Sequence, residues 1–456
     1  MYRILFTVWL FLFQALLFGQ NEDSLFIRRL ADDGLMNGKA YTNLYILTKT
    51  IGGRLSGSPQ TYKSENWGQK ALQDAGADKV YLEECKIPHW VRGGKDQAKL
   101  IEGNNETSLN VLALGNSIGT SSKWISAPVI LIHSFEELEK KKNEVGGKIV
   151  FYNYKFKSKF IQPFQAYGDA VIYRAEGASR AAKYGAVAVL VRSMTDGTDN
   201  NPHTGAMSYN DSFPKIPALA VGLWDADKLD AALQKNQNLK IMLKSNAHTL
   251  PDTVGYNVVA ELKGTAFPDQ YITVGAHLDS WDPAEGANDD GAGCVHSIEV
   301  LRLLKATGYR PKHTIRIVLF TDEENRGSGA IKHASNAKAN NEKHVFALES
   351  DAGGFTPRSF SFTMPKDRLD KIKNWVSLLE DYGVYEFVPG FGGADVDGLN
   401  QALGTPVAEL VPDPQRYFDY HHSAADVFEN VNKRELELGA INMAGLIYLV
   451  DKYGLQ

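Results

Sequence analysis

Five short segments in the second half of this 456-residue chain carry residues whose types and spacing could do chemistry. His277 and Asp279 stand in GAHLDS, Asp289 and Asp290 in GANDDGAG, Asp322, Glu323 and Glu324 in TDEE, Glu349 and Asp351 in ESDAG, and His421 and His422 in HHSAAD. Imidazole nitrogen and carboxylate oxygen together suit zinc or a similar divalent cation. The chain has only Cys85 and Cys294, which excludes a thiolate cage and leaves nitrogen and oxygen to hold any metal. With several carboxylates available, the charge suits two cations better than one. A paired site can grip a water and polarise a carbonyl at once, which is the chemistry of hydrolysis.

Such side chains need a frame, and the pattern from about residue 252 onward supplies one. YITVG, TIRIVLF, VFALES and PVAELV read as strands, while CVHSIEVLRLLK, GAIKHASNAK, DRLDKIKNWVSLLEDYG and KRELELGAINMAGLIYLVDKYG read as helices. The alternation predicts an α/β fold, a mostly parallel sheet flanked by helices. In such sheets ligands bind beyond the carboxyl ends of the strands. His277 follows YITVG, the TDEE acids follow TIRIVLF, Asp351 follows VFALES and HHSAAD follows PVAELV, so the polar clusters fall where a site is expected.

The first half is quieter. Residues 22–38 and 59–75 carry helical patterning with the turn-rich GRLSGSP between them, and VYLEECKI, AKLI and LNVLALG are strand-like. From about 120 to 246, APVILI, GKIVFY, AVAVLVR and IPALAV are short buried strands among the helices RAAKYG and WDADKLDAALQK, without clustered acids or histidines. This stretch is expected to be a separate small α/β domain. The divisions expected are thus 1–20, 21–119, 120–246 and 247–456. Arg3 and the apolar run from Ile4 to Phe18 have the build of a signal peptide, cleaved near Gly19 or Gln20, which predicts a secreted or periplasmic protein with no membrane span after its removal. A net charge of −5 offers no basic field for nucleic acid or an anionic membrane. Two cysteines far apart make no disulfide scaffold.

GAHLDS, GANDDGAG, TDEE, ESDAG and HHSAAD, taken in order, resemble the signature segments of the M28 metallopeptidase family, and the likeness extends to the N-terminal GRLSGS. The resemblance implies a zinc exopeptidase fold with an inserted protease-associated domain at 120–246 and two Zn2+ per chain. Carried over position by position, His277, Asp289 and Asp351 would hold one zinc, and Glu324 and His422 would complete the second, with Asp289 bridging. His422 is taken as the ligand rather than His421 because the family pattern places an aspartate, here Asp426, four residues after it. Glu323 would take a proton from a metal-bridging water and pass it to the leaving amine, and Asp279 would bond the second nitrogen of His277. The peptide bond between Asp289 and Asp290 is expected to be cis. The substrates implied are unblocked dipeptides or the ends of short peptides, and the assembly implied is a homodimer.

Simpler readings attach to several of these residues. Asp322 reads as a solvated turn residue, and Asp290 in part as an acid favoured by a helix N-terminus. His296, His313, His333 and His344 read as structural or exposed. GFGGADVDG, with Asp395 and Asp397, either lines a substrate pocket or begins a helix. Two other functions share the same features: a single-zinc glutaminyl cyclase performing aminoacyl transfer, and a non-catalytic binding protein. The apparent completeness of the ligand set favours the peptidase, and among peptidases an aminopeptidase acting on longer chains is the nearest alternative.

Overall fold

A computed structural model describes residues 22–455, so the expected signal peptide lies outside the described residues. Two eight-stranded sheets organise the chain. The first runs, in spatial order, Lys79–Val91, His248–Leu262, His313–Phe320, Phe267–His277, Lys343–Glu349, Val407–Pro412, Pro357–Thr363 and Glu386–Pro389. Its centre is parallel, because Phe267–His277 pairs in parallel with a strand on either side and Lys343–Glu349 continues the pattern to Val407–Pro412. Its flanks add antiparallel pairings, so the sheet is mixed, with four of its seven pairings parallel.

The central strands are covered on both sides. Ile272, Val274, Ile315, Ile317, Phe346 and Leu348 are fully buried on one face, and Val318, Phe320 and Ala347 on the other. On this framework lie the helices Ala292–Ala306 and Lys433–Tyr453, whose buried faces share one core with it. The closing helix is capped by the Asn432 side chain, which accepts from the N–H groups of Arg434 and Glu435. Gly275 is required by close approach: a Cβ there would lie 2.5 Å from the ring of Phe320 on the next strand.

The strand His248–Leu262 escapes the sequence reading because Pro251, Asp252 and Gly255 break its apolar pattern. It pairs with Lys79–Val91 along nearly its whole length, with Val91 opposite His248. The chain therefore leaves the first sheet at Val91 and returns directly opposite, having built the second sheet in between. That sheet already begins with the strand Gln97–Glu102, upstream of the expected boundary at 120, and includes Asn105–Leu109 and Val111–Ala113. Its core also recruits Phe355, Tyr417 and Phe418 from late in the chain. Other departures are local. The helix Pro163–Ala175 was not expected, and the single helix expected at 367–383 is broken into short helical turns.

Candidate metal centre

Every residue singled out as a ligand stands at or beyond the carboxyl end of a central strand. His277 closes Phe267–His277, Glu324 follows His313–Phe320, Asp351 follows Lys343–Glu349, and His422 follows Val407–Pro412 after a short helical segment. Asp289 lies just before the helix Ala292–Ala306, and its peptide bond to Asp290 is cis.

The fold brings these five side chains into one cluster. Asp289 Oδ1 lies 3.3 Å from His277 Nε2, and its Oδ2 lies 3.2 Å from His422 Nε2. On one side His277 Nε2 is also 3.3 Å from Asp351 Oδ1, and on the other His422 Nε2 is 3.1 Å from Glu324 Oε2. Asp289 thus offers one oxygen to each half of the cluster. His421 stacks on His422 with ring centroids 3.5 Å apart, but its Nε2 stays 3.8 Å from Asp289. Asp290 lies near His277 and Asp351 as well, yet both its oxygens accept from backbone, from His277 N–H at 3.1 Å and Gly293 N–H at 2.8 Å.

Three buried oxygens in the cluster make no well-formed hydrogen bond among the described residues: Asp289 Oδ2 and Asp351 Oδ1, which face imidazole nitrogens at 3.2 and 3.3 Å, and Glu324 Oε1. A buried carboxylate oxygen without a donor is costly unless a cation meets it. The donor set, two imidazoles and three carboxylates with unsatisfied oxygens converging on one place, fits divalent cations.

A surrounding layer of contacts fixes these side chains. The Trp281 indole N–H donates to Glu324 Oε2 at 2.5 Å. His422 Nδ1 faces the carbonyl of Thr204 at 3.3 Å, a contact supplied by the second sheet's part of the chain. His277 Nδ1 faces the backbone carbonyl of Asp279 at 3.1 Å, while the Asp279 carboxylate is 3.7 Å away. This differs from the expected carboxylate contact. The Asp279 oxygens instead accept the N–H groups of Glu323, at 3.0 Å, and Glu324, at 3.4 Å. Holding an adjacent turn takes geometric precedence over reaching back two residues along the same chain.

Asp322 is a correction. It is fully buried rather than solvated, with φ +61°, and accepts from Ser56 of the GRLSGS segment at 2.9 Å. Arg54 of the same segment is also buried and donates to the carbonyls of Leu278 at 2.6 Å, Glu285 at 2.6 Å and Gly286 at 3.0 Å. The N-terminal loop thereby braces the metal-centre loops. Trp281, Thr204 and Arg54 were missed as supporting residues; GRLSGS and the tryptophan after GAHLDS were visible, but no periodicity marks their targets. His296, His333 and His344 are buried structural residues, and GFGGADVDG does both things considered for it: Phe391 lines the cavity and Ala394 opens a helix.

The centre forms the floor of a cavity of about 630 Å³ whose walls come from both sheets' parts of the chain. Glu323 lines it beside Asp289, Glu324 and Asp351. Burial raises the Glu323 carboxyl well above its ordinary range, and Asp351, Glu324 and Asp279 add to this while His277 opposes it.

The geometry and the fold define a class, and comparison with known proteins agrees with it. The model of Peptidase family M28 matches residues 257–447. The chain belongs to this family and is a metallopeptidase. It is similar to carboxypeptidase Q of Homo sapiens, with 38% identity over 424 residues that cover 93% of this chain and 88% of that one. Among solved structures, a peptidase M28 precursor from Shewanella amazonensis SB2B superposes with a TM-score of 0.90 at 31% identity, covering 95% of this chain and 97% of the other. A zinc aminopeptidase from Bacillus subtilis shares the fold, with a TM-score of 0.66 at 19% identity over 91% of this chain and 95% of that one. No described helix is long and apolar enough to cross a membrane.

Proposed function

We propose that this metallopeptidase is a two-zinc exopeptidase that hydrolyses unblocked dipeptides or the terminal residues of short peptides. The observation that carries the reading is the division of Asp289, with one oxygen toward His277 and the other toward His422. In this reading His277, Asp289 and Asp351 hold one zinc, and Asp289, Glu324 and His422 hold the other. Zinc held there would supply Lewis acidity toward a substrate carbonyl and toward water.

The chain's own residues do the rest. Glu323, on the cavity wall and not among the ligands, accepts a proton from the attacking water and delivers it to the departing amine. Asp279 positions Glu323 and Glu324 through their backbone N–H groups. Trp281 and the Thr204 carbonyl orient Glu324 and His422, a kind of support that governs ligand geometry in metal sites generally.

The similarity to carboxypeptidase Q supports an exopeptidase. The unit built between Val91 and His248 is, in this reading, an inserted protease-associated domain that walls one side of the cavity and excludes long chains. Residues 1–20 direct export to a secreted or periplasmic location, and two copies form a homodimer.

Release of free amino acids from unblocked dipeptides, N-blocked dipeptides and longer peptides, with zinc and with chelator, tests the proposal. Chelator-sensitive cleavage of unblocked dipeptides is expected. Faster cleavage of a folded protein or a long internal peptide would overturn it.

A further inference from the structure

Among the described residues, two charged side chains line the cavity outside the metal centre without a partner of opposite charge. The first is Arg174, on the helix Pro163–Ala175 between Val91 and His248. It is buried, and its three acceptors are uncharged: Ala206 O at 3.3 Å from Nε, Thr204 O at 3.3 Å from one terminal nitrogen, and Tyr167 Oη at 2.6 Å from the other. A guanidinium has five N–H groups, so two remain unused. The neighbouring Gly205, at φ +127°, lets it approach the centre: a Cβ there would lie 2.5 Å from the Arg174 guanidinium and 2.6 Å from His422 Nδ1. Arg174 therefore stands on the His422 side.

The second is Glu409, on Val407–Pro412, in register with Ser361 of the adjacent strand; both side chains line the cavity. Glu409 lies opposite Glu349 in register on the neighbouring strand, two residues before Asp351, and so stands on the Asp351 side. Burial, with the like charges of Glu349 and Asp351, raises its carboxyl well above the ordinary range, and a cation beside it would favour the ionised form. A cation and an ionisable carboxyl, retained in one cavity without a partner of opposite charge, gain from a ligand that pairs with both.

We propose that Arg174 binds the α-carboxylate and Glu409 the α-ammonium group of an unblocked dipeptide, so that the substrate lies with its amino end toward Asp351 and its carboxyl end toward His422. Arg suits a carboxylate because its two remaining N–H groups can meet both oxygens. Requiring both charged ends together selects dipeptides over internal segments. The assignment rests on the exopeptidase reading for its substrate class, and its test separates the two.

The experiment compares zinc-loaded wild type, Arg174→Met, Arg174→Lys and Glu409→Gln in two assays. The first is kcat/KM for one dipeptide in its free, C-amidated and N-acetylated forms. The second is calorimetric binding of the ketomethylene isostere of that dipeptide, which has no bond to hydrolyse, in the same three forms. Wild type is expected to prefer each free end over its blocked form by about tenfold to a hundredfold, the scale of a charge-assisted hydrogen bond. Arg174→Met should erase the preference for the free carboxylate alone, Arg174→Lys should restore part of it, and Glu409→Gln should erase the preference for the free amine alone. Variants that bind all three isosteres more weakly by one common factor, or that keep the wild-type preferences, would overturn the assignment. If wild type cleaves no dipeptide but the isosteres discriminate as expected, the end recognition stands and the exopeptidase reading falls. If wild type cleaves dipeptides and blocking either end changes neither assay, the reverse holds.

Discussion

Asp426 accepts the backbone N–H of Asp289 through Oδ2 at 3.1 Å, while its Oδ1 accepts that of Asn288 at 2.7 Å. The aspartate of HHSAAD thus clamps the loop that presents Asp289 to both histidines. Contacts of this kind set metal affinity without touching the metal. Asp426→Ala should weaken zinc binding by about tenfold to a hundredfold, read by titration against a competing chelator, with the fold retained. Unchanged affinity would mean that the loop holds itself.

Glu323 lines the cavity beside the ligands, and its backbone is fixed by Asp279. Glu323→Gln keeps the size and removes the base. Peptide hydrolysis should fall by about 10²-fold to 10⁴-fold while the bound zinc, counted by elemental analysis, stays the same. Loss of zinc alongside activity would instead make Glu323 part of the metal-binding set.

The adjacent histidines are expected to separate cleanly. His422 approaches both Asp289 and Glu324, whereas His421 remains 3.8 Å from Asp289. His422→Ala should lose about one zinc equivalent per chain on the two-cation reading. His421→Ala should retain both metals, and a metal count showing the opposite pattern would exchange their roles.

Arg54 is fully buried and serves carbonyls of Leu278, Glu285 and Gly286, at both ends of the loop 278–286. Arg54→Met leaves the Leu278 and Glu285 oxygens without a donor and Gly286 with the Gly291 N–H alone, a loss of about 3 kcal/mol or more in unfolding free energy. Arg54→Lys should recover little of this, because one ammonium cannot span the fork. Urea unfolding monitored by circular dichroism checks both variants.

Stability should also depend on Glu65, which is buried, accepts the Tyr256 N–H at 2.8 Å as its one hydrogen bond among the described residues, and is raised by that burial from an ordinary value of 4.5 to about 7. The folded protein holds this proton more tightly than the unfolded chain, so the contribution of Glu65 to stability falls as pH rises from about 4.5 to 7 and is level above that. Glu65→Gln, which still accepts from Tyr256, should melt with wild type at pH near 4 and higher than wild type at pH near 8, by at most about 3 kcal/mol. Coincident melting curves at both pH values would contradict the assignment.

How much was legible follows from what each feature depends on. YITVG and TIRIVLF fall within strands of the first sheet, and VFALES and PVAELV match strands to within one residue, because a run buried on both faces is apolar in sequence too. The strand His248–Leu262 was hidden by residues an edge pairing tolerates, and Asp322 by a partner, Ser56, that lies far away in the chain.

The sequence by itself determined which donors exist, that sulfur is nearly absent from them, and that they sit at the ends of strands, since these depend on residue type and local periodicity. Only the tertiary structure decided that Asp289 faces two histidines at once, that Asp279 holds a turn instead of an imidazole through its carboxylate, and that Arg174 and Thr204 reach the centre from the other sheet's part of the chain. The physical reason is that hydrogen bonds and charge pairing act over a few ångströms in space, and folding sets those distances between residues that the linear order keeps far apart.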